Sequence, residues 1–116
     1  MRRQTGPKIL LVLVAAVAVV FFVGRGNAGS GASARELVKQ GALLLDVRTP
    51  GEYAEKHIPD AVNIPVQELE SRMAELPRDR PIVVYCRSGH RSARAATMLK
   101  TAGYTSVYDL GAMSNW

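Results

Sequence analysis

The chain is expected to fold as an α/β domain: a small parallel sheet flanked by helices on both faces, preceded by an N-terminal hydrophobic helix. Three observations predict this. From residue 42 onward, short runs rich in Leu, Val and Ile alternate with helix-length segments, the chain order from which parallel sheets are built. Residues 42–47 and Ile82-Val83-Val84-Tyr85 are nearly continuous in apolar side chains, as strands covered on both faces must be. Residues 9–23 form an unbroken apolar run that stands apart from the remainder.

That run comes first in the chain and sets the domain organisation. Arg2, Arg3 and Lys8 precede it, with no acid in the first 25 residues. As a helix it would measure roughly 22 Å at 1.5 Å per residue, short of the ~30 Å hydrocarbon core and at the upper edge of a secretory h-region. Residues 1–28 are therefore read as a signal peptide or a membrane anchor with its positive end inside. Ala32-Ser33-Ala34 has the form of a cleavage site and Gly26-Asn27-Ala28 offers a second cut, which favours removal. Residues 29–33 are read as a linker and 34–116 as the folded domain. Both alternatives place that domain outside the cytoplasmic membrane, in a periplasm or on the membrane's outer face.

The elements follow in order. Ser33-Ala34-Arg35-Glu36 has the spacing of a capping box and predicts a helix over 34–40, stopped at Gly41. Residues 42–47 are the first strand. Thr49-Pro50-Gly51-Glu52 is a second capping box, with Pro50 at the first helical position, opening a helix to about Lys56. Residues 61–64 make a brief strand closed by Pro65. Leu69, Met73 and Leu76 recur at i, i+4 and i+7 and mark the buried face of a helix over 66–76. After a Pro-bounded turn at 77–81, residues 82–85 form the central strand. A helix over 91–102 ends at Gly103, and 106–110 form the last strand.

Charge excludes one class of partner. Formal charge is +5 overall, but residues 29–116 hold eleven Lys/Arg against ten Asp/Glu, a net of +1. The basic excess belongs to the N-terminus, and no basic stripe interleaved with aromatics points to nucleic acid. A membrane is implied as a partner only through an uncleaved N-terminal segment.

Cys86 is the chain's one cysteine, so it cannot form an internal disulfide, the usual fate of cysteines in exported proteins. A buried inert thiol or an intermolecular bridge is the bland alternative. Its flanks argue against an apolar pocket, since Arg87, Ser88, Gly89 and Arg91 follow it. The thiol ends a strand and precedes a helix, where backbone N–H groups converge on anions. A helix N-terminus and nearby guanidinium groups favour a thiolate, the nucleophilic form. Ligands of parallel sheets bind at the carboxyl ends of strands, and Asp46 and Arg48 end another such strand. Those two residues are read as structural support for the site's frame. One cysteine and two histidines at no standard spacing leave a metal site without ligands, and no cofactor is expected. His57 is read as fixing a turn, and Glu52 as a helix cap alone.

Several ordered motifs carry a resemblance. Asp46-Val47-Arg48-Thr49-Pro50-Gly51-Glu52-Tyr53, His57 to Pro65, Cys86-Arg87-Ser88-Gly89-His90-Arg91-Ser92 and Leu110-Gly111-Ala112-Met113-Ser114-Asn115-Trp116 together resemble the rhodanese domain. The resemblance implies a thiosulfate sulfurtransferase working without a cofactor. Cys86 would be the catalytic residue, taking the outer sulfur of thiosulfate as a persulfide and passing it to a thiophilic acceptor: cyanide, a thiol or a protein. It also implies that Arg87, Ser88, Gly89, His90, Arg91 and Ser92 bind substrate. Their N–H groups would cradle the persulfide, and the arginines would attract the anionic donor. The His90 side chain is read as a spectator. Protein tyrosine phosphatases use Cys-x5-Arg, whereas Cys86 to Arg91 is Cys-x4-Arg, a tighter loop suited to one sulfur atom. A persulfide carrier and a non-catalytic rhodanese-like binding module at the cell envelope are the alternatives. Asp60 stands where glycine is common in the family, and the chain stops at Trp116 where relatives usually continue.

Overall fold

The computed structural model describes residues 29–116. The expected N-terminal hydrophobic helix, with the rest of residues 1–28, lies outside the described residues. Within them, helix α1 spans Gly31–Lys39, strand β1 Leu43–Asp46, α2 Pro50–Glu55, β2 Val62–Asn63, α3 Val66–Arg72, β3 Ile82–Cys86, α4 His90–Thr101 and β4 Val107–Ala112. Short 3₁₀ turns at Met73–Glu75 and Met113–Asn115 follow α3 and β4. No helix among the described residues is long and apolar enough to cross a membrane.

The described strands form one four-stranded sheet in the order β2-β1-β3-β4, and every pairing is parallel. Alternation along β3 divides the interior into two layers. Ile82, Val84 and Cys86 pack with Leu69, Leu76, Ala95, Ala96 and Leu99 from the α3 and α4 side. Val83 and Tyr85 pack on the opposite face with Ala34, Leu44, Ile58 and Leu110, against Leu37, Tyr53 and Trp116. Every residue of β3 is buried, which is why its sequence lacks the polar-apolar alternation of a half-exposed strand.

Local chemistry explains most element boundaries. Thr49 and Glu52 form the reciprocal capping box, with Thr49 Oγ1 accepting from the Glu52 amide at 3.1 Å and Glu52 Oε1 from the Thr49 amide at 2.9 Å. The first helix departs from expectation. Its cap is Ser30, whose hydroxyl accepts from the Ser33 amide at 3.2 Å, so α1 begins three residues before the expected start. Residues 31–33, expected in a linker, are the first turn of α1. Gly29 is fixed as well, its amide donating to Asp109 O at 2.8 Å. The long helix expected over 66–76 tightens into 3₁₀ geometry from Met73, so Leu76 lies just beyond it as its cap yet stays buried.

One irregularity bears on the site. Val84 pairs with Asp109 but Tyr85 pairs with Gly111, so β4 carries an extra residue. Gly111 takes φ +84° there, and its amide donates to Asp109 Oδ1 at 2.9 Å. This bulge re-aims the end of β4 and brings Gly111 beside Gly89 of the loop after β3.

Candidate active site

Cys86 is the last residue of β3 and is fully buried. The chain then turns through Arg87, Ser88 and Gly89 into α4, whose first residue is His90. Gly89 makes the turn possible, for its φ of +105° lies in a region that side chains oppose. In that conformation its N–H donates to Cys86 Sγ at 3.0 Å. The sulfur therefore sits at the mouth of a twelve-residue helix, where unpaired backbone N–H groups and the helix dipole favour negative charge. Ser92 closes the turn from inside, its hydroxyl donating to Gly89 O at 3.2 Å while the Ala93 amide donates to the same oxygen at 3.1 Å.

The two loop arginines are placed differently. Arg91 makes a two-pronged contact with Glu52, Nη1 to Oε1 at 2.8 Å and Nη2 to Oε2 at 3.1 Å. Arg87 comes only within 3.9 Å of Glu52 Oε2 and leaves 78% of its side chain exposed. The Arg91 guanidinium, aided by the capping contacts with Thr49, holds the Glu52 carboxyl at about 2, well below the usual carboxylate range. The same hydrogen bonds raise the Arg91 pKa. Ser88 and His90 stand at the rim, with Ser88 Oγ 3.4 Å from His90 Nδ1. Sequence reasoning read Glu52 as a helix cap alone. The structure gives it a second task, joining α2 to the start of α4. The one sequence signal for it was the loop's two arginines without a local acid.

Asp46 and Arg48 form a buried pair on the frame. Arg48 donates through Nε to both Asp46 oxygens at 3.0 and 3.1 Å, through Nη2 at 2.6 Å, and through its own amide at 2.8 Å. Arg48 Nη2 also reaches Lys56 O at 2.7 Å, and its guanidinium carbon lies 5.5 Å from the Tyr85 ring centroid. The hydrogen bonds to Asp46 raise the Arg48 pKa, while burial pushes the Tyr85 phenol upward. The Tyr85 hydroxyl accepts from the Ile58 amide at 3.1 Å. This network ties the ends of β1 and β3 to the segment after α2, and the one hydrogen bond to the sulfur comes from the Gly89 amide, outside it, among the described residues. A groove of about 300 Å³ runs beside it, lined by Arg48, Glu52, Glu55, Lys56, Arg87, Met113 and Ser114. Its outer wall mixes both signs of charge.

Such an arrangement can hold sulfur-centred negative charge, and it presents an exposed guanidinium on the residue that follows the cysteine. A family model described as the rhodanese-like domain matches residues 30–116. A sulfurtransferase of Allochromatium vinosum is 47% identical over 75 residues, 64% of this chain and 70% of that protein. Thiosulfate sulfurtransferase GlpE of Pseudomonas syringae is 37% identical over 84 residues, 72% of this chain and 79% of the relative. Among solved structures, a rhodanese with anions from Escherichia coli aligns with a TM-score of 0.62 at 32% identity, over 66% of this chain and 92% of that one.

Proposed function

The chain belongs to the rhodanese-like domain family, and on that premise we propose that it moves sulfane sulfur from thiosulfate, or a similar small anionic donor, to a thiophilic acceptor through a persulfide on Cys86. The observation that carries the reading is the buried Cys86 sulfur at the end of β3, with the Gly89 N–H on it and α4 opening directly behind.

The step balances without a cofactor. The Cys86 thiolate attacks the outer sulfur of thiosulfate, a sulfur–sulfur bond forms to Sγ, the donor's own sulfur–sulfur bond breaks, and sulfite leaves with the electron pair. An acceptor nucleophile then attacks the terminal persulfide sulfur and the Cys86 thiolate departs. With cyanide the product is thiocyanate. Loop N–H groups hold the charge on sulfur at both stages, as donors fixed before the reaction do for any developing anion. The tight Cys86-to-Arg91 loop supports transfer of one sulfur atom over a bulkier phosphoryl group.

Thiosulfate:cyanide turnover of the protein against Cys86→Ser tests the assignment. Turnover should vanish in the variant, and equal rates would sink it. Intact-protein mass after thiosulfate should rise by about 32 Da, the mass of one sulfur at a reversible thiol cap. Loading without turnover on small acceptors would favour the carrier reading instead. We also place this chemistry outside the cytoplasmic membrane, on the support of Arg2, Arg3 and Lys8 ahead of the apolar residues 9–23. N-terminal sequencing of the protein from fractionated cells tests that placement. A new start near Gly29, ahead of the Ser30 cap of α1, indicates cleavage that leaves the domain whole, an intact start in the membrane fraction indicates an anchor, and an intact start in the cytosol overturns it.

A further inference from the structure

We propose that Glu52 divides the work of the two loop arginines, holding Arg91 as an internal brace and leaving Arg87 as the guanidinium that meets an anionic donor. This rests on the sulfur-transfer reading for the donor's identity, but its geometry stands without it. Glu52 is fixed by its own helix before it meets either arginine, because its Oε1 already accepts from the Thr49 amide at 2.9 Å. Both Arg91 terminal nitrogens are then committed to it, at 2.8 and 3.1 Å. Turning Arg91 toward a ligand would break two charge-assisted hydrogen bonds, the strong kind. Arg87 would break none, since at 3.9 Å it has no hydrogen bond to Glu52.

Position agrees with bonding. Arg87 lines the 300 Å³ groove alongside Glu52, Lys56, Met113 and Ser114, and Arg91 does not. Arg87 is 78% exposed at the side chain and Arg91 32%. Glu52 also cancels the charge of Arg91, one of the loop's two positive charges, so it limits how strongly the loop draws anions. Glu52 is thus a positioning residue acting through Arg91, and Arg87 sets specificity for negative charge.

The chain's one cysteine makes a direct test possible. Alkylation rates of Cys86 are measured with anionic iodoacetate and neutral iodoacetamide, and their ratio reports the charge met by the incoming reagent while cancelling intrinsic thiol reactivity. Arg87→Ala should lower the ratio about fivefold, and Glu52→Gln should raise it by about the same factor, the order expected from one nearby charge at intermediate dielectric. Glu52→Asp should bring the ratio back toward the parent value. Arg91→Lys, which keeps the charge but loses the two-pronged contact, should change the ratio less than Arg87→Ala. In thiosulfate turnover, Arg87→Ala should act mainly on KM and Arg91→Lys mainly on kcat. The proposal is overturned if Arg91→Lys lowers the alkylation ratio at least as far as Arg87→Ala, or if Glu52→Gln leaves it unchanged. Absence of thiosulfate turnover in the parent protein would remove the sulfur-transfer reading, and the alkylation ratios would still decide the roles of Glu52 and Arg87.

Discussion

The Gly89 amide donates to Cys86 Sγ across 3.0 Å, and it does so only because Gly89 adopts φ +105°. A Cβ at that position would find space, its nearest neighbour being Gly111 Cα at 4.0 Å. The obstacle is therefore the backbone conformation, which costs an L-residue on the order of 1–2 kcal/mol. Gly89→Ala either carries that strain or rotates its N–H away from the sulfur. Loading of Cys86 from thiosulfate, followed by mass spectrometry, should slow about tenfold or more, the scale of losing one fixed donor to a developing anion. A variant that loads at the parent rate would show that this amide does not serve the sulfur.

The Glu52–Arg91 contact gives the fold a definite acid dependence. Glu52 is held at about 2, chiefly by its hydrogen bonds to Arg91 and Thr49, against an ordinary value of 4.5. Its folded-state pKa is depressed, so its stabilisation is fully present above about pH 4.5 and is lost as pH falls toward 2. Solvent reaches the pair, so its worth is set at about 0.5–1 kcal/mol after screening. Urea denaturation of the parent protein and Glu52→Gln should show a stability gap that is constant from pH 7 to 5 and closes progressively below. A gap unchanged at pH 3 would contradict this.

Legibility in the sequence followed the range of the interaction. The capping box at Thr49 and Glu52 was readable because both partners lie within one turn, and the same residues cap α2 in the structure. The one proposed at Ser33 and Glu36 had equal local merit. Ser30 does that job three residues earlier, a choice fixed by docking Gly29 and Ala34 against the sheet, which no local spacing records. The two-layer core was readable from β3, where apolar continuity leaves a strand no exposed face. Glu52 meeting Arg91 across 39 positions was not, nor was the β4 bulge that sets Gly111 beside the loop. Both depend on how elements distant in sequence are aimed at one another.

Asp46 and Arg48 are buried at 0% and 5% exposure, which makes their pairing unforgiving. Removing one member of a buried pair leaves an uncompensated charge and costs about 3–5 kcal/mol. Asp46→Asn should therefore lower stability by about 3 kcal/mol or more, since Asn keeps one acceptor oxygen but loses the Oδ2 contacts and the negative charge, leaving the buried Arg48 guanidinium uncompensated. Tyr85→Phe strands the buried Ile58 amide and should cost about 1–3 kcal/mol. Denaturant midpoints of the two variants check the order. Asp46→Asn less harmful than Tyr85→Phe would mean that the ion pair contributes no more than its packing.

Asp60 is the one non-glycine residue at positive φ among those described, at +73°. The Ala61 amide donates to Ile58 O at 3.0 Å, so Ile58-Pro59-Asp60-Ala61 is a turn with proline second and a left-handed residue third, the type II pattern in which the third position favours glycine. Aspartate tolerates this conformation better than most side chains but still at a cost of up to about 1–2 kcal/mol. Glycine removes the strain while adding roughly 0.4–1 kcal/mol of unfolded-chain entropy. Asp60→Gly should therefore stabilise the domain by up to about 1 kcal/mol, a rise of about 4–8 °C in Tm for a domain of this size. Asp60→Ala, which keeps the Cβ and loses the polar group, should instead lower Tm. If both variants melt below the parent protein, the Asp60 carboxylate makes a stabilising interaction that outweighs the backbone strain. The turn would then owe its geometry to that side chain rather than tolerate it.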